Sequence, residues 1–279
     1  MDYRSHWGLF LHPFENTRDP AFFFSSRAHR EALDRLLYLA EDGNMQFGLL
    51  SGEIGCGKTM TSTHFLQSLP VTRFATVSLE FSGFAYAHLL SELLARLEGR
   101  APDPEEANTY ALLVRFREVL RAQVVDTRRH LVVVLDEAQE IPREGLVQLK
   151  NLTNLTEATR NYVTIVLVGQ PELRGHVKTL PQLDQRIGLR FHLNALLPDD
   201  LGPYLCHRMR VAGHPSGEVF EPGCMDVLYR ETQGVPREVN RICKLALDRT
   251  YSLQRGVVSP DIVASIVRDL NRHAGLAAS

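Results

Sequence analysis

One stretch restricts the chain more than any other: Phe47 to Thr59, FGLLSGEIGCGKT, where a short apolar run passes straight into a glycine-rich turn ending in Lys and Thr. Gly52, Gly57, Lys58 and Thr59 satisfy G-x-x-x-x-G-K-[ST], the spacing of a phosphate-binding loop. In such a loop main-chain N–H groups cradle phosphates, the lysine reaches the β- and γ-phosphates, and the hydroxyl ligates Mg²⁺. Glycine is needed where the backbone passes close to an anion, and Gly55 adds a third residue able to take positive φ. Met60 to Leu66 reads as a helix whose positive N-terminal end faces the phosphates. The expected nucleotide contacts are therefore Gly52, Glu53, Ile54, Gly55, Cys56, Gly57, Lys58, Thr59 and Met60, with Thr59 also a metal ligand.

A second stretch supplies what the loop lacks. His130 to Glu140, HLVVVLDEAQE, is a continuous apolar run, as expected of a parallel strand covered on both faces, and it ends in two acids. In open α/β sheets ligands bind at the carboxyl ends of strands. Asp136 is expected to hold Mg²⁺ directly or through water, and Glu137 to act as the base that polarises the attacking water. Tyr162 to Val168, YVTIVLV, is another buried strand, and Gln170 just beyond it is a candidate γ-phosphate sensor. Leu180 to Leu193, LPQLDQRIGLRFHL, places Arg186 and Arg190 four apart, on one face if the segment is helical.

A chain of 279 residues accommodates one large α/β domain with a smaller appendage. Its 44% hydrophobic and 23% charged residues are ordinary for a globular protein. The net charge of −2 gives no whole-molecule argument for nucleic acid or an anionic membrane, while leaving room for a local basic groove. Cys56, Cys206, Cys224 and Cys243 lack metal-binding spacing and read as thiols in a reducing compartment. The N-terminus MDYRSHWGLF has no apolar signal core, and no apolar run reaches about eighteen residues. A cytoplasmic location without direct membrane insertion is expected.

The stretch from Trp7 to Phe24 is aromatic and carries Pro13 and Pro20, which argues for an ordered strap rather than a long helix. Its aromatics are candidates for core packing or for part of an adenine pocket. Ser26 to Ala40 follows as an amphipathic helix closed by Gly43 and Asn44. Phe74 to Leu79 is strand-like, and Ala87 to Leu97 and Ala111 to Val125 are helical, with a turn over Arg100 to Glu106 between them. Alternating strands and helices predict a doubly wound parallel sheet of the P-loop kind. From Leu197 onward the pattern is helical, in segments running to about Val211 with Asp199 or Asp200 as cap, then Pro222 to Thr232, Val235 to Tyr251 and Asp261 to Leu270. Three parts are expected: residues 1–45 as strap and first helix belonging to the sheet domain, 46–196 as the α/β nucleotide-binding domain, and 197–279 as a small helical lid.

Taken together, these residues resemble the AAA+ ATPases, and within them the ExeA-type general-secretion ATPases. The resemblance covers nearly the whole chain: the leader HWGL…PFENTRDPAFFFS with HREALDRLLYL, then LLSGEIGCGKT, VVVLDEAQE, VLVGQPEL, LDQRIGLRFHL and TQGVPREVNRIC. The leader and the helix after it are its most family-specific parts. The resemblance implies ATP and Mg²⁺ as ligands, Gln170 as first sensor, Arg186 and Arg190 as arginine-finger candidates, and Arg237 in GVPRE as second sensor. It also implies a homo-oligomer, ring or filament, that engages a client protein. Transposition regulators of the TniB, TnsC and MuB kind resemble the same core and form filaments on duplex DNA. The secretion ATPases carry a membrane segment after the ATPase domain, whereas this sequence stops at Ser279. The basic clusters TRRH at Thr127 to His130 and REVNRICK at Arg237 to Lys244 are short and read as solvated faces. The expectation is an ATP-hydrolysing assembly switch serving secretion, with a DNA-bound transposition regulator and a nucleotide-dependent scaffold of little turnover as the alternatives.

Overall fold

The computed structural model describes residues 3–80, 85–102, 108–154, 156–157 and 160–277. The expected turn over Arg100 to Glu106 lies largely outside them. In chain order the elements are α1 (Tyr3–Trp7), α2 (Arg27–Asp42), β1 (Phe47–Gly52), α3 (Lys58–Ser68), β2 (Phe74–Glu80), α4 (Tyr86–Glu98), α5 (Thr109–Leu120) and β3 (His130–Asp136). There follow α6 (Arg143–Gln148), α7 (Lys150–Thr153), the strand pair β4 (Thr156–Glu157) and β5 (Arg160–Asn161), β6 (Val163–Gly169), α8 (Glu172–Lys178), α9 (Pro181–Asp184) and β7 (Ile187–Leu193). Four longer helices complete the chain: α10 (Pro198–Val211), α11 (Cys224–Thr232), α12 (Pro236–Ser252) and α13 (Pro260–Ala277). Among the described residues no helix is long and apolar enough to cross a membrane, and the four cysteines form no disulfide.

Five strands form one parallel sheet in the order β2-β3-β6-β1-β7. β1, β3 and β6 are buried along their whole length, which explains why they read as unbroken apolar runs. On one face Leu49, Leu131, Val133, Leu135, Ile165 and Leu167 pack against Leu90, Leu93 and Leu94 of α4 and Phe116 and Leu120 of α5. Leu39 of α2 lies so close to Gly48 that a Cβ there would collide with it. Register sets Leu49 and Leu135 both opposite Leu167. The carboxyl ends of β1, β3 and β6 are therefore level, and they carry Gly52, Asp136 and Gly169.

Leu180 to Leu193, where Arg186 and Arg190 would share one face if the segment were helical, is the short α9 followed by β7, paired with β1 at the edge of the sheet. The reason is visible in IGLRFHL. Ile187, Leu189, Phe191 and Leu193 alternate with Gly188, Arg190 and His192, the period of a strand with one covered face.

The chain divides into two compact units, one of Arg30–Ile54 with Lys58–Leu193, the other of Met1–His29, Gly55–Gly57 and Asn194–Ser279. The strap expected with the sheet domain thus belongs to the helical unit. Trp7, Leu9, Phe14 and Phe22 share a core with Leu201, Tyr204, Met209, Ile242 and Leu247. Polar anchors fix it there. The buried Arg208 guanidinium donates to the carbonyls of Pro13 and Glu15 and lies 4.6 Å over the Phe22 ring. Asn240 accepts from Tyr204 Oη at 2.7 Å and donates to Asn16 Oδ1 at 3.1 Å. In α10, Asp199 and Asp200 occupy the first turn, and the Asp200 carboxylate accepts the Leu197 N–H at 3.0 Å.

Candidate nucleotide-binding site

In the sheet unit, β1 ends at Gly52 against Leu193, whose carbonyl oxygen would lie 2.6 Å from a Cβ at Gly52. Glu53 and Ile54 are exposed, and α3 begins at Lys58. The Lys58 ammonium, buried with its side chain, donates to the carbonyls of Gly52 at 2.8 Å and Glu53 at 3.0 Å. It closes the loop on itself through main-chain oxygens. Thr59 Oγ1 donates to Asp136 Oδ2 at 2.6 Å, joining the first turn of α3 to the end of β3. Met60 follows, half-buried.

Asp136 is buried, and its carboxyl is held above the ordinary carboxylate range first by that burial. Hydrogen bonds from Thr59 and the Glu137 N–H oppose the shift, while the carboxylates of Glu137 and Glu80 add to it. Glu137 sits in the left-handed region at φ 52°, a conformation costing a residue with a Cβ about 1 kcal/mol, and its N–H donates to Asp136 Oδ1 at 2.9 Å. Its carboxylate accepts from Gln139 Nε2 at 2.7 Å, and Gln139 Oε1 accepts the Gln170 N–H at 3.0 Å. A Cβ at Gly169 would lie 2.5 Å from that same Oε1, so glycine is what allows the amide to bridge β3 and β6.

Hydrogen bonds thus run from Thr59 through Asp136, Glu137 and Gln139 to Gln170, which is engaged by its main-chain N–H. The two other arginine positions point to different partners. Arg186 donates to Gln46 Oε1 at 2.8 Å and Asn154 Oδ1 at 3.1 Å, and Arg190 pairs with Asp184 at 2.8 Å.

The crest of the loop belongs to the helical unit. Gly55 and Gly57 take φ of +84° and +95°, as their choice of residue requires. Exposed Arg237, on the first turn of α12, donates its N–H to Gly55 O at 3.3 Å, and a Cβ at Gly55 would lie 2.7 Å from its own Cβ. Buried Cys56 presents its carbonyl to His29 Nε2 at 3.0 Å. Gln139 and His29 escaped the sequence reading. The only signals were an amide two residues after Glu137, and a histidine three residues after Ser26 at a helix start.

The donor set fits the ligands of a phosphate-binding loop. A hydroxyl and a carboxylate 2.6 Å apart are hard oxygen ligands suited to Mg²⁺, and a buried carboxyl pushed upward is one that a cation would relieve. Because the folded state raises the proton affinity of Asp136, the ionised group costs stability. That cost is full at pH above the folded pKa and gone below the ordinary carboxylate range. Asp136→Asn is accordingly expected to raise the Tm of the nucleotide-free protein at neutral pH by roughly 2–4 °C, the effect of about 1 kcal/mol in a domain this size. Calorimetry across pH should show the gain shrinking as pH falls, and no gain at neutral pH would count against a burial penalty.

Comparison with known proteins agrees with this geometry. Residues 41–177 match the family described as AAA domain. Solved structures of low identity share the fold: Aeropyrum pernix ORC2, solved as ADPNP and ADP complexes, superposes with a TM-score of 0.70 at 18% identity over 92% of this chain and 71% of that one. Cdc6p from Pyrobaculum aerophilum gives 0.70 at 16% over 92% and 70%. Residues 41–177 are thus similar to the AAA domain, and the chain has the fold of the AAA+ P-loop class. Within that class it is similar to General secretion pathway protein A of Aeromonas hydrophila, 37% identical over 256 residues, 90% of this chain and 45% of the relative. The chain thus spans less than half the length of that curated relative.

Proposed function

We propose that the chain binds ATP with Mg²⁺ and hydrolyses it, and that nucleotide state governs self-association and the engagement of a client protein in a secretion or envelope-assembly system. The observation that carries the chemical part is the Thr59–Asp136 hydrogen bond, which brings the phosphate loop and the acidic strand to one point. Phosphoryl transfer relies on positioning and charge stabilisation, and the residues divide those tasks. Gly52 to Met60 cradle the phosphates, with Lys58 exchanging its carbonyl partners for phosphate oxygens. Thr59 and Asp136 hold the metal, which supplies charge neutralisation. Glu137 orients the attacking water, Gln170 faces the terminal phosphate, and Arg237 meets the nucleotide from α12. Arg186 and Arg190 are proposed to act across a subunit contact. The secretion reading is supported by the 37% identity to the Aeromonas relative. The net charge of −2 speaks against the alternative in which the protein coats duplex DNA.

Removing the Lys58 ammonium tests the binding half. Lys58→Ala is expected to weaken a fluorescent ATP analogue by about 10- to 100-fold, the worth of a charge-assisted hydrogen bond. Unchanged affinity in a titration of both proteins would remove the basis of the reading.

A further inference from the structure

The helix start Ser26-Arg27-Ala28-His29 does more than begin α2. Ser26 caps it: Ser26 Oγ accepts the His29 N–H at 3.3 Å, and the same hydroxyl lies 2.7 Å from His29 Nδ1. With Nε2 facing a carbonyl that can only accept, the Ser26 hydroxyl, whose oxygen accepts the main-chain N–H, gives its own proton to Nδ1. That leaves the proton of the neutral imidazole on Nε2. Nε2 is the atom 3.0 Å from the Cys56 carbonyl. The imidazole is 5% exposed, stands edge-on to Phe23 at 6.0 Å between ring centroids, and is held below its ordinary pKa first by burial, against the Cys56 carbonyl and the Asp200 carboxylate. A neutral ring with a fixed donor therefore faces one peptide group of the loop.

That peptide joins Cys56 to Gly57. In a planar trans peptide the C=O and the following N–H point in opposite directions. Fixing the Cys56 carbonyl on the imidazole turns the Gly57 N–H away from it, toward the side on which a loop of this spacing cradles phosphate. The approach leaves no room for a side chain: a Cβ at Gly57 would lie 2.9 Å from His29 Nε2, and Gly57 has φ +95°. The glycine is thus demanded twice over, by conformation and by the ring beside it.

We infer that His29 is a positioning residue for the nucleotide, one that fixes the Cys56–Gly57 peptide of the phosphate loop through Nε2 with its tautomer set by Ser26. This rests on the nucleotide-binding reading above. It makes the leader, far from the loop in sequence, a determinant of phosphate affinity. Since the peptide it orients lies in the loop itself, the effect falls on ATP and ADP alike and not on the water-activating step.

The test is a titration of fluorescent ATP and ADP analogues against the parent chain, His29→Leu and His29→Gln, with the Tm of each nucleotide-free protein. His29→Leu keeps an apolar filling without a donor and is expected to weaken both nucleotides about tenfold, the loss of one buried hydrogen bond. His29→Gln places an amide N–H at the reach of Nε2 and is expected to recover affinity to within about threefold of the parent. Ser26→Ala, which frees the tautomer but leaves the ring, is expected to weaken both by about threefold and serves if His29→Leu does not fold. Parent-like affinity in His29→Leu overturns the inference, as does a glutamine variant no tighter than the leucine variant at equal Tm. A parent chain that binds neither nucleotide overturns the nucleotide-binding reading instead, so the two failures are separable.

Discussion

Glu137→Gln is expected to bind ATP as tightly as the parent chain and to lose turnover by roughly 10²- to 10⁴-fold, the range for removing a general base. The substitution is nearly isosteric, and the carboxamide oxygen still accepts from Gln139 Nε2, which now lies 2.7 Å from the carboxylate. What disappears is the negative charge proposed to orient and polarise water. Because no phosphate contact is proposed for Glu137, the ground state is untouched and the loss should appear in kcat alone. Phosphate release measured beside nucleotide titration separates the two terms. Hydrolysis at the parent rate would show that another group serves as base. The left-handed backbone of Glu137, held by Asp136 Oδ1, fits such a role, since strained residues persist where surrounding contacts over-determine them.

The second large effect concerns the two arginines. An arginine that stabilises transition-state charge from a neighbouring subunit is worth roughly 10³ to 10⁵ in rate. Within one chain, Arg190 is committed to the Asp184 carboxylate, whereas both hydrogen-bond partners of Arg186 are neutral amides. A guanidinium held only by amides is the easier to transfer to phosphate, so Arg186→Ala should account for most of the loss in the double variant. The parent should hydrolyse more steeply than linearly with protein concentration. Mixing Arg186→Ala/Arg190→Ala with Glu137→Gln should restore some activity, since one partner supplies the arginine and the other the base. If mixed assemblies form and remain inactive at every ratio, neither arginine acts in trans.

The parts of the molecule legible in the sequence were those whose physics is local. β1, β3 and β6 are covered on both faces, and two-sided burial leaves an unbroken apolar run in the text. The glycines at 55 and 57 announce positive φ because few other residues tolerate it. β7 was less legible because an edge strand buries one face, and a short alternating stretch carries a weaker signal than an unbroken apolar run. The expected helix from Ala111 to Val125 is α5 continued by a π-turn over Arg121–Val125, a distinction no periodicity carries. Gln139 and His29 were missed for a different reason. Each matters only through a group that tertiary structure brings to it, the Gln170 N–H in one case and the Cys56 carbonyl in the other.

The leader was assigned to the wrong neighbours because aromatic residues declare that they will be covered but not by what. Its anchoring by Arg208 has a consequence for how the protein can be divided or recombined. A buried guanidinium that loses the Pro13 and Glu15 carbonyls keeps its charge and forfeits its acceptors, so the helical segment cannot be shuffled into another protein without the first thirty residues. The two ends of the chain are thus one piece in space, to be kept together wherever the protein is divided.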